Sequence, residues 1–124
     1  MNAVTWFELP ATDFDRAVNF YESLLDIKLH REVFGGSQPN GIFPSQDGVG
    51  GAVALVPYAK PGSDGAVVYL NVTSAAAFDR ALAQVESLGG QVVMPKTDIG
   101  PMGHFALIRD TEGNRVGLHL PGAG

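Results

Sequence analysis

The sequence predicts an α+β fold built from two tandem modules, each with the element order β-α-β-β-β. The first observation is an internal repeat, in which the segment 14–17, Phe-Asp-Arg-Ala, recurs at 78–81. The segment 22–24, Glu-Ser-Leu, recurs at the same offset at 86–88. The second observation is that short β-like runs bounded by Gly, Pro, Asn and Asp flank each copy. Together they indicate a duplicated module of about 60 residues.

Both copies of the repeat lie on predicted helices. The first helix is expected to begin at Thr12, whose hydroxyl can cap a free backbone N–H, with Asp15 completing a capping box. The second is expected to begin at Ser74 and to end at Gly89 and Gly90, because glycine accommodates a left-handed backbone. Apolar residues recur at three- and four-residue steps, which predicts one buried stripe per helix. The stripe consists of Phe14, Ala17, Val18, Tyr21 and Leu25 in the first helix and of Phe78, Ala81, Leu82, Val85 and Leu88 in the second.

Eight strands are predicted around the two helices. They cover residues 3–9, 27–33, 40–45 and 51–57 in the first module and 66–72, 91–95, 104–109 and 115–120 in the second. The segment 60–65 is rich in Gly, Pro, Ser and Asp and is a predicted loop. This loop joins module 1, residues 1–59, to module 2, residues 66–121, within one domain that spans residues 1–124.

Composition excludes several classes of function. The chain has 124 residues, enough for one self-sufficient core, and no cysteine, which removes disulfides, zinc–thiolate sites and a cysteine nucleophile. Its net charge is −5 and its basic residues are scattered, so no nucleic-acid partner is expected. The N-terminal segment lacks the pattern of a signal peptide, and no apolar run approaches the ~20 residues that span a bilayer. We therefore expect a cytoplasmic protein that binds no membrane.

Six motifs are distributed over nearly the whole chain. They are Phe7-Glu8-Leu9-Pro10, Asp13-x-Asp15-Arg16-Ala17, Phe20-Tyr21, Tyr69-Leu70-Asn71-Val72, the segment from Gly100 to Phe105, and Asp110-Thr111-Glu112-Gly113-Asn114-Arg115. Together they resemble the vicinal oxygen chelate superfamily, which includes glyoxalase I, extradiol dioxygenases and the fosfomycin- and bleomycin-resistance proteins, and look most like its uncharacterised, glyoxalase-related branch. The resemblance implies that the two modules form a curled mixed sheet around a pocket that binds a small-molecule ligand, and that the protein is a homodimer.

In that superfamily, the metal ligands are typically His or Glu on the first and last strands of each module. Aligned by the motifs, the four ligand positions fall on Trp6, Ala54, Val67 and Gly117, whose side chains cannot bind a divalent cation. The resemblance therefore implies that the usual metal site is absent. No metal or other cofactor is predicted, although the sequence leaves a divalent metal in a displaced site open.

Strand alternation predicts which side chains face the pocket, because the apolar residues of each strand should pack against the helices. The resulting set combines a carboxylate, an imidazole, a phenol and an amide with an aromatic wall, a combination suited to acid–base chemistry or polar recognition. It consists of Trp6, Glu8, Tyr69, Asn71, Arg115 and His119.

Each candidate has a functional and a structural interpretation. Glu8 could be a general base that abstracts a proton next to a carbonyl, or a solvated carboxylate paired with Arg115. As a base it would need a partner that stabilises the enolate, for which Tyr69 and His119 are the candidates. His104 follows a glycine-rich turn and could close over a ligand or belong to a rigid connection.

Three functional hypotheses stay open. The first is a small-molecule-binding protein that lacks the usual metal ligands. The second is a glyoxalase-like lyase or isomerase with Glu8 as catalytic base, with or without a metal held by Glu8, His104 and His119. The third is a resistance protein that sequesters a cationic drug in an aromatic groove, which predicts binding that weakens with salt.

Overall fold

The computed structural model describes residues 3–46 and 48–122. The chain divides into two compact units, Met1–Pro61 and Gly62–Gly124. Within the described residues, each unit contains four strands and one α-helix in the predicted order β-α-β-β-β. Neither helix is long and apolar enough to cross a membrane.

The first module is an open four-stranded mixed sheet with one helix. Its elements are β1 (Trp6–Pro10), α1 (Phe14–Leu25), β2 (His30–Phe34), β3 (Gln38–Ile42) and β4 (Gly50–Ala54). The strands are ordered β1-β4-β3-β2, with β1 parallel to β4 and the other two pairs antiparallel. The parallel pair is a consequence of the helical crossover that separates β1 from the rest of the sheet in sequence.

The second module repeats this topology. Its elements are β5 (Val68–Asn71), α2 (Ala75–Gln84), β6 (Gln91–Asp98), β7 (Gly103–Arg109) and β8 (Arg115–Pro121), with a single 3-10 turn at Gly100–Met102. The strands are ordered β5-β8-β7-β6, again with the first and last strands parallel. The identical strand order confirms the internal duplication that the repeated segments predicted. The described strands form two open sheets, one per module, and neither closes on itself.

The N-cap predicted for the first helix is wrong by one residue. The cap is Asp13, whose extended backbone places its carboxylate where it accepts a hydrogen bond from the Arg16 N–H at 3.1 Å. A carboxylate in that position also complements the positive end of the helix. Thr12, the predicted cap, immediately precedes it and is equally a capping residue type. The choice between them therefore depends on where the backbone leaves β1.

The N-cap predicted for the second helix is confirmed, since the Ser74 hydroxyl accepts from the Ala77 N–H at 3.1 Å. Its end differs from the prediction, because regular helix stops at Gln84. The chain continues as overlapping turns, in which Gly90 N–H donates to the Val85 carbonyl at 2.9 Å. Gly89 has φ of +98°, so glycine supplies the left-handed residue that ends these turns, as predicted.

The helix stripes form the cores. In α1 the most deeply buried aromatic is Tyr21, whose ring meets Phe20 and Phe43 edge-on at centroid distances of 5.0 and 5.5 Å. Phe20 and Leu24 are buried in addition to the predicted stripe, whereas Phe14 is only half-buried beneath the Arg31 guanidinium. In α2 the buried residues of the stripe are Phe78 and Ala81, and Val85, directly after the helix, is buried as well. Because each helix covers one face of the sheet in its own module, the opposite face of that sheet is left for other contacts.

The observed ends of β2 and β6 differ from the predicted ones. Strand β2 begins at His30 rather than at residue 27, because the Leu29 N–H donates to the Glu22 carboxylate at 2.9 Å and not to a neighbouring strand. Strand β6 extends to Asp98, three residues beyond its predicted end, and its pairing with β7 is interrupted by register shifts between Val92 and Thr97. β6 is an edge strand, and its irregular pairing together with Pro95 makes the addition of another strand to this edge less favourable.

Candidate functional site

The first module brings Glu8 together with two aromatic side chains. Glu8 lies on the face of β1 opposite Phe7 and Leu9, which point toward the module's core, where Phe7 contacts Phe43. One Glu8 carboxylate oxygen, Oε1, accepts a short hydrogen bond of 2.6 Å from the Tyr58 hydroxyl. The other, Oε2, accepts a long one of 3.4 Å from the Trp6 indole N–H. We call Trp6, Glu8 and Tyr58 the acidic aromatic cluster.

The indole of Trp6 lies across a glycine. Trp6 pairs with Gly50 on β4, and a methyl group at Gly50 would lie 3.2 Å from the indole ring. The absence of a side chain at this position therefore lets the indole rest on the sheet beside Glu8. The Trp6 side chain is 40% exposed and Tyr58 is 68% exposed, so both aromatic groups are accessible from solvent.

Tyr58 was not among the predicted site residues. It lies just beyond β4 and reaches back 50 residues in sequence to Glu8. The only signal in the sequence is an aromatic residue directly after the last strand of the module, and this pattern does not identify its partner. Tertiary structure is needed to see that Tyr58 donates to Glu8.

The carboxylate of Glu8 controls the ionisation of Tyr58. The hydrogen bond to Glu8 is the largest cause that raises the pKa of Tyr58 above its ordinary value. The carboxylate holds the phenol proton and its negative charge opposes formation of a phenolate. Tyr58 therefore stays a neutral hydrogen-bond donor at neutral pH.

We expect the substitution Glu8→Gln to lower the pKa of Tyr58 toward that of a free tyrosine. The amide keeps the shape of the carboxyl group and removes its charge, so the phenolate is no longer opposed. The measurement is a pH titration of phenolate ultraviolet absorbance, in which Tyr58→Phe identifies the Tyr58 component. An unchanged titration in Glu8→Gln would show that the hydrogen bond is not formed in solution.

The second module carries a corresponding aromatic and polar face. Tyr69 and Asn71 alternate with buried Leu70 on β5 and pair with Gly117 and His119 on β8. The Tyr69 ring lies over Gly117, where any added side chain would overlap it. Its neighbour on this face is Phe105, at a centroid distance of 6.1 Å. We call Tyr69, Asn71 and His119 the β5–β8 cluster.

His119 is held by the backbone of the 3-10 turn. Its Nε2 lies 2.8 Å from the carbonyl oxygen of Met102, which also accepts from the Gly122 N–H at 3.1 Å. A carbonyl oxygen has only lone pairs, so Nε2 must carry the proton in this contact. In the neutral ring Nδ1 is therefore the acceptor, and the sequence prediction did not distinguish between the two nitrogens.

The remaining predicted site residues lie elsewhere in the second module. Arg115 contacts the segment that precedes β5, since its Nη2 donates to the Gly65 carbonyl at 3.2 Å. Its Nε is buried and has no hydrogen-bond partner among the described residues. His104 lies in β7 and pairs with Leu120 on β8, so it shares the helix-side face with Ala106 and Ile108 and not the face of the β5–β8 cluster.

The four positions that the sequence motifs assigned to metal ligands carry side chains that do not fit a divalent cation. Trp6 offers only an indole N–H, which donates to Glu8, and Gly117 is covered by the Tyr69 ring. Ala54 is fully buried and Val67 is half-buried, and both have hydrocarbon side chains. Across residues 3–46 and 48–122, no three His, Asp or Glu side chains come close enough together to hold a metal.

Two β-α-β-β-β modules with the same strand order define a protein of the paired-module, glyoxalase-like class. The family model of the Glyoxalase/Bleomycin resistance protein/Dioxygenase superfamily matches residues 3–118. The chain belongs to this superfamily, which confirms the family that the sequence motifs indicated.

Relatives of known name support this membership. The mycobacterial protein named "Putative glyoxylase CFP32", from Mycobacterium tuberculosis and from Mycobacterium bovis, is 31% identical over 122 residues, covering 91% of this chain. The match covers 43% of that protein, so the chain spans less than half the length of these relatives.

Solved structures share the fold at low sequence identity. A glyoxalase/bleomycin resistance protein from Streptomyces sp. CB03234 has a TM-score of 0.67 and 20% identity, covering 94% of this chain and 99% of that chain. The corresponding protein from Albidiferax ferrireducens has a TM-score of 0.68 and 16% identity, covering 95% and 98%. A glyoxalase I mutant from Zea mays has a TM-score of 0.69 and 17% identity, covering 94% of this chain and 45% of its own.

Proposed function

We propose that this superfamily member binds a small cationic molecule through the acidic aromatic cluster, Trp6, Glu8 and Tyr58. The observation that carries the proposal is the Glu8 carboxylate held between two accessible aromatic side chains, at 2.6 Å from the Tyr58 hydroxyl and 3.4 Å from the Trp6 N–H. A fixed negative charge beside an indole is a standard way to recognise an ammonium group.

The energetics favour a cation over an uncharged ligand. An accessible cation over an indole gains about 0.5–1 kcal/mol, and an exposed charge pair gains about 0.2–1 kcal/mol more. The net charge of −5 adds a long-range attraction of the same sign. Tyr58, kept neutral by its hydrogen bond to Glu8, contributes apolar contact, so the negative charge of the cluster is that of the Glu8 carboxylate.

The arrangement of Glu8 supports recognition in preference to proton abstraction. A general base must direct a free lone pair at the substrate proton. In Glu8 each oxygen accepts one hydrogen bond from a protein donor, so half of the lone pairs hold the carboxylate in place between two solvent-accessible aromatic side chains. The proposal assigns no step to a metal.

We expect choline to bind and to change the fluorescence of Trp6, the single tryptophan of the chain. Its uncharged carbon analogue, dimethylbutanol, should bind several-fold more weakly, because it keeps the shape and loses the charge. In Glu8→Gln the affinity for choline should fall about twofold to fivefold and lose most of its salt dependence. Fluorescence titration at low and high salt measures all three effects.

The matched control is Glu32→Gln, which removes an exposed carboxylate that contacts His30 on β2 and leaves the cluster intact. This variant has the same net charge as Glu8→Gln, so it separates the local effect from the overall field. Equal responses to choline and dimethylbutanol, or equal losses in the two variants, would contradict the proposal.

A further inference from the structure

We propose that the β5–β8 cluster, Tyr69, Asn71 and His119, is a binding site for a planar ligand whose polar end carries both a hydrogen-bond donor and an acceptor, as an aromatic carboxamide does. This site belongs to the second module and does not depend on Glu8 binding any ligand. The proposal rests on the position of the proton on His119, the exposed amide of Asn71 and the Tyr69 ring, which lies flat over Gly117.

His119 presents an acceptor to the ligand. Nε2–H of His119 donates a hydrogen bond to the Met102 carbonyl oxygen, with 2.8 Å between Nε2 and the oxygen, which fixes the tautomer of the neutral ring and leaves the lone pair on Nδ1 available. The Met102 carbonyl is itself fixed, because it also accepts from the Gly122 N–H at 3.1 Å. The ring is therefore anchored at one nitrogen and exposes the other as a hydrogen-bond acceptor.

Asn71 provides the complementary donor and acceptor. It is directly opposite His119 in the parallel β5–β8 pair, where neighbouring strands are about 4.8 Å apart. Its side chain is exposed and makes no hydrogen bond to any residue in the described ranges. A carboxamide between the two could donate to His119 Nδ1 and exchange hydrogen bonds with the Asn71 amide.

Tyr69 supplies the flat surface for the ring. It lies two residues before Asn71 on the same face of β5, a separation of about 6.7 Å. Its ring rests on Gly117 beside Phe105 and is 51% exposed. If an aromatic ligand stacked on Tyr69, a polar group attached one or two bonds from its ring would lie next to Asn71 and His119. Aromatic side chains with a few convergent polar groups are the usual composition of small-molecule sites.

Benzamide and benzoate form a matched pair of probes. They have the same ring and nearly the same shape, but the carboxylate of benzoate has no proton to donate and would meet the lone pair of His119 Nδ1. At about pH 8, we expect benzamide to shift the NMR resonances of residues 69–71 and 117–119. Benzoate should bind at least about threefold more weakly.

Two substitutions of His119 separate the acceptor from the anchor. His119→Gln can place an N–H where Nε2 stands, which keeps the bond to Met102 and removes the acceptor at Nδ1. It should weaken benzamide binding about threefold to tenfold and leave amide hydrogen exchange at Gly122 unchanged. His119→Asn places a polar group near the Nδ1 position and loses the anchor. It should retain more of the benzamide affinity and speed exchange at Gly122.

The fold is checked in both variants by hydrogen exchange at Val72, whose N–H donates to the His119 carbonyl at 2.8 Å and does not involve the ring. The inference is overturned if benzamide leaves β5 and β8 unperturbed, if benzoate binds as tightly, or if His119→Gln binds benzamide like the unaltered protein. None of these results bears on choline binding at Glu8.

Discussion

Replacing Gly103 by alanine is expected to destabilise the second module by about 2–5 kcal/mol. Gly103 has φ of +103°, and an added methyl group would overlap the carbonyl oxygen of Leu120 on the adjacent strand. Overpacking a buried position costs about 1–3 kcal/mol, and the left-handed backbone adds about 1–2 kcal/mol for a residue with a side chain. Because the obstruction is backbone, no side-chain rotation can relieve it. Urea unfolding measures the effect.

The control for this prediction lies three residues earlier. Gly100 also has positive φ, of +76°, but an added methyl group there would meet no atom within 4 Å. Gly100→Ala should therefore lose only the backbone preference, about 1–2 kcal/mol. Equal losses in the two variants would show that the close approach of Gly103 to β8 is not maintained in solution.

The substitution Phe78→Ala should destabilise the second module by about 3–5 kcal/mol. The Phe78 side chain is 0% exposed and lies on the face of α2 that packs against the sheet. Its removal deletes a large apolar surface and leaves a cavity that the surrounding strands cannot fill completely. The measurement is the free energy of unfolding, followed by hydrogen exchange in β7 and β8.

The internal duplication supplies the matched control for this substitution. Phe14 occupies the equivalent position in α1 but is half-buried, with the Arg31 guanidinium 5.3 Å from its ring centroid. Phe14→Ala should therefore cost about half as much as Phe78→Ala, since less apolar area is lost. A larger loss for Phe14 would contradict the burial that distinguishes the two copies.

Much of the fold could be predicted because its signals are local or repeated. The segment shared by residues 14–17 and 78–81 identified two equivalent helices. The N-cap of α2 could be predicted because Ser74 is a favoured capping residue directly before the helix. The cap of α1 was misassigned because Thr12 and Asp13 are both good caps, and only the path of the backbone out of β1 selects Asp13. Helix ends are likewise set by packing, which a single sequence does not contain.

The candidate site was predicted only where it follows from strand alternation. Trp6 and Glu8 share a face, as do Tyr69 and Asn71, because side chains two residues apart on one strand point the same way. Tyr58 was missed because its contact with Glu8 depends on tertiary structure. His104 was considered as a residue that follows a turn, but β7 begins at Gly103, and the strand register places His104 on the helix side.

Both modules place an aromatic ring of the first strand across a glycine of the last strand, Trp6 on Gly50 and Tyr69 on Gly117. This arrangement imposes an order on evolutionary change. A carboxylate or imidazole introduced at position 117 would collide with the Tyr69 ring, so the tyrosine would have to be replaced or turned away from the strand first. A descendant of this chain could thus acquire a metal-binding side chain at that position only by giving up the aromatic surface. The same pair of strands could therefore carry either a metal-binding site or an aromatic binding surface, but not both.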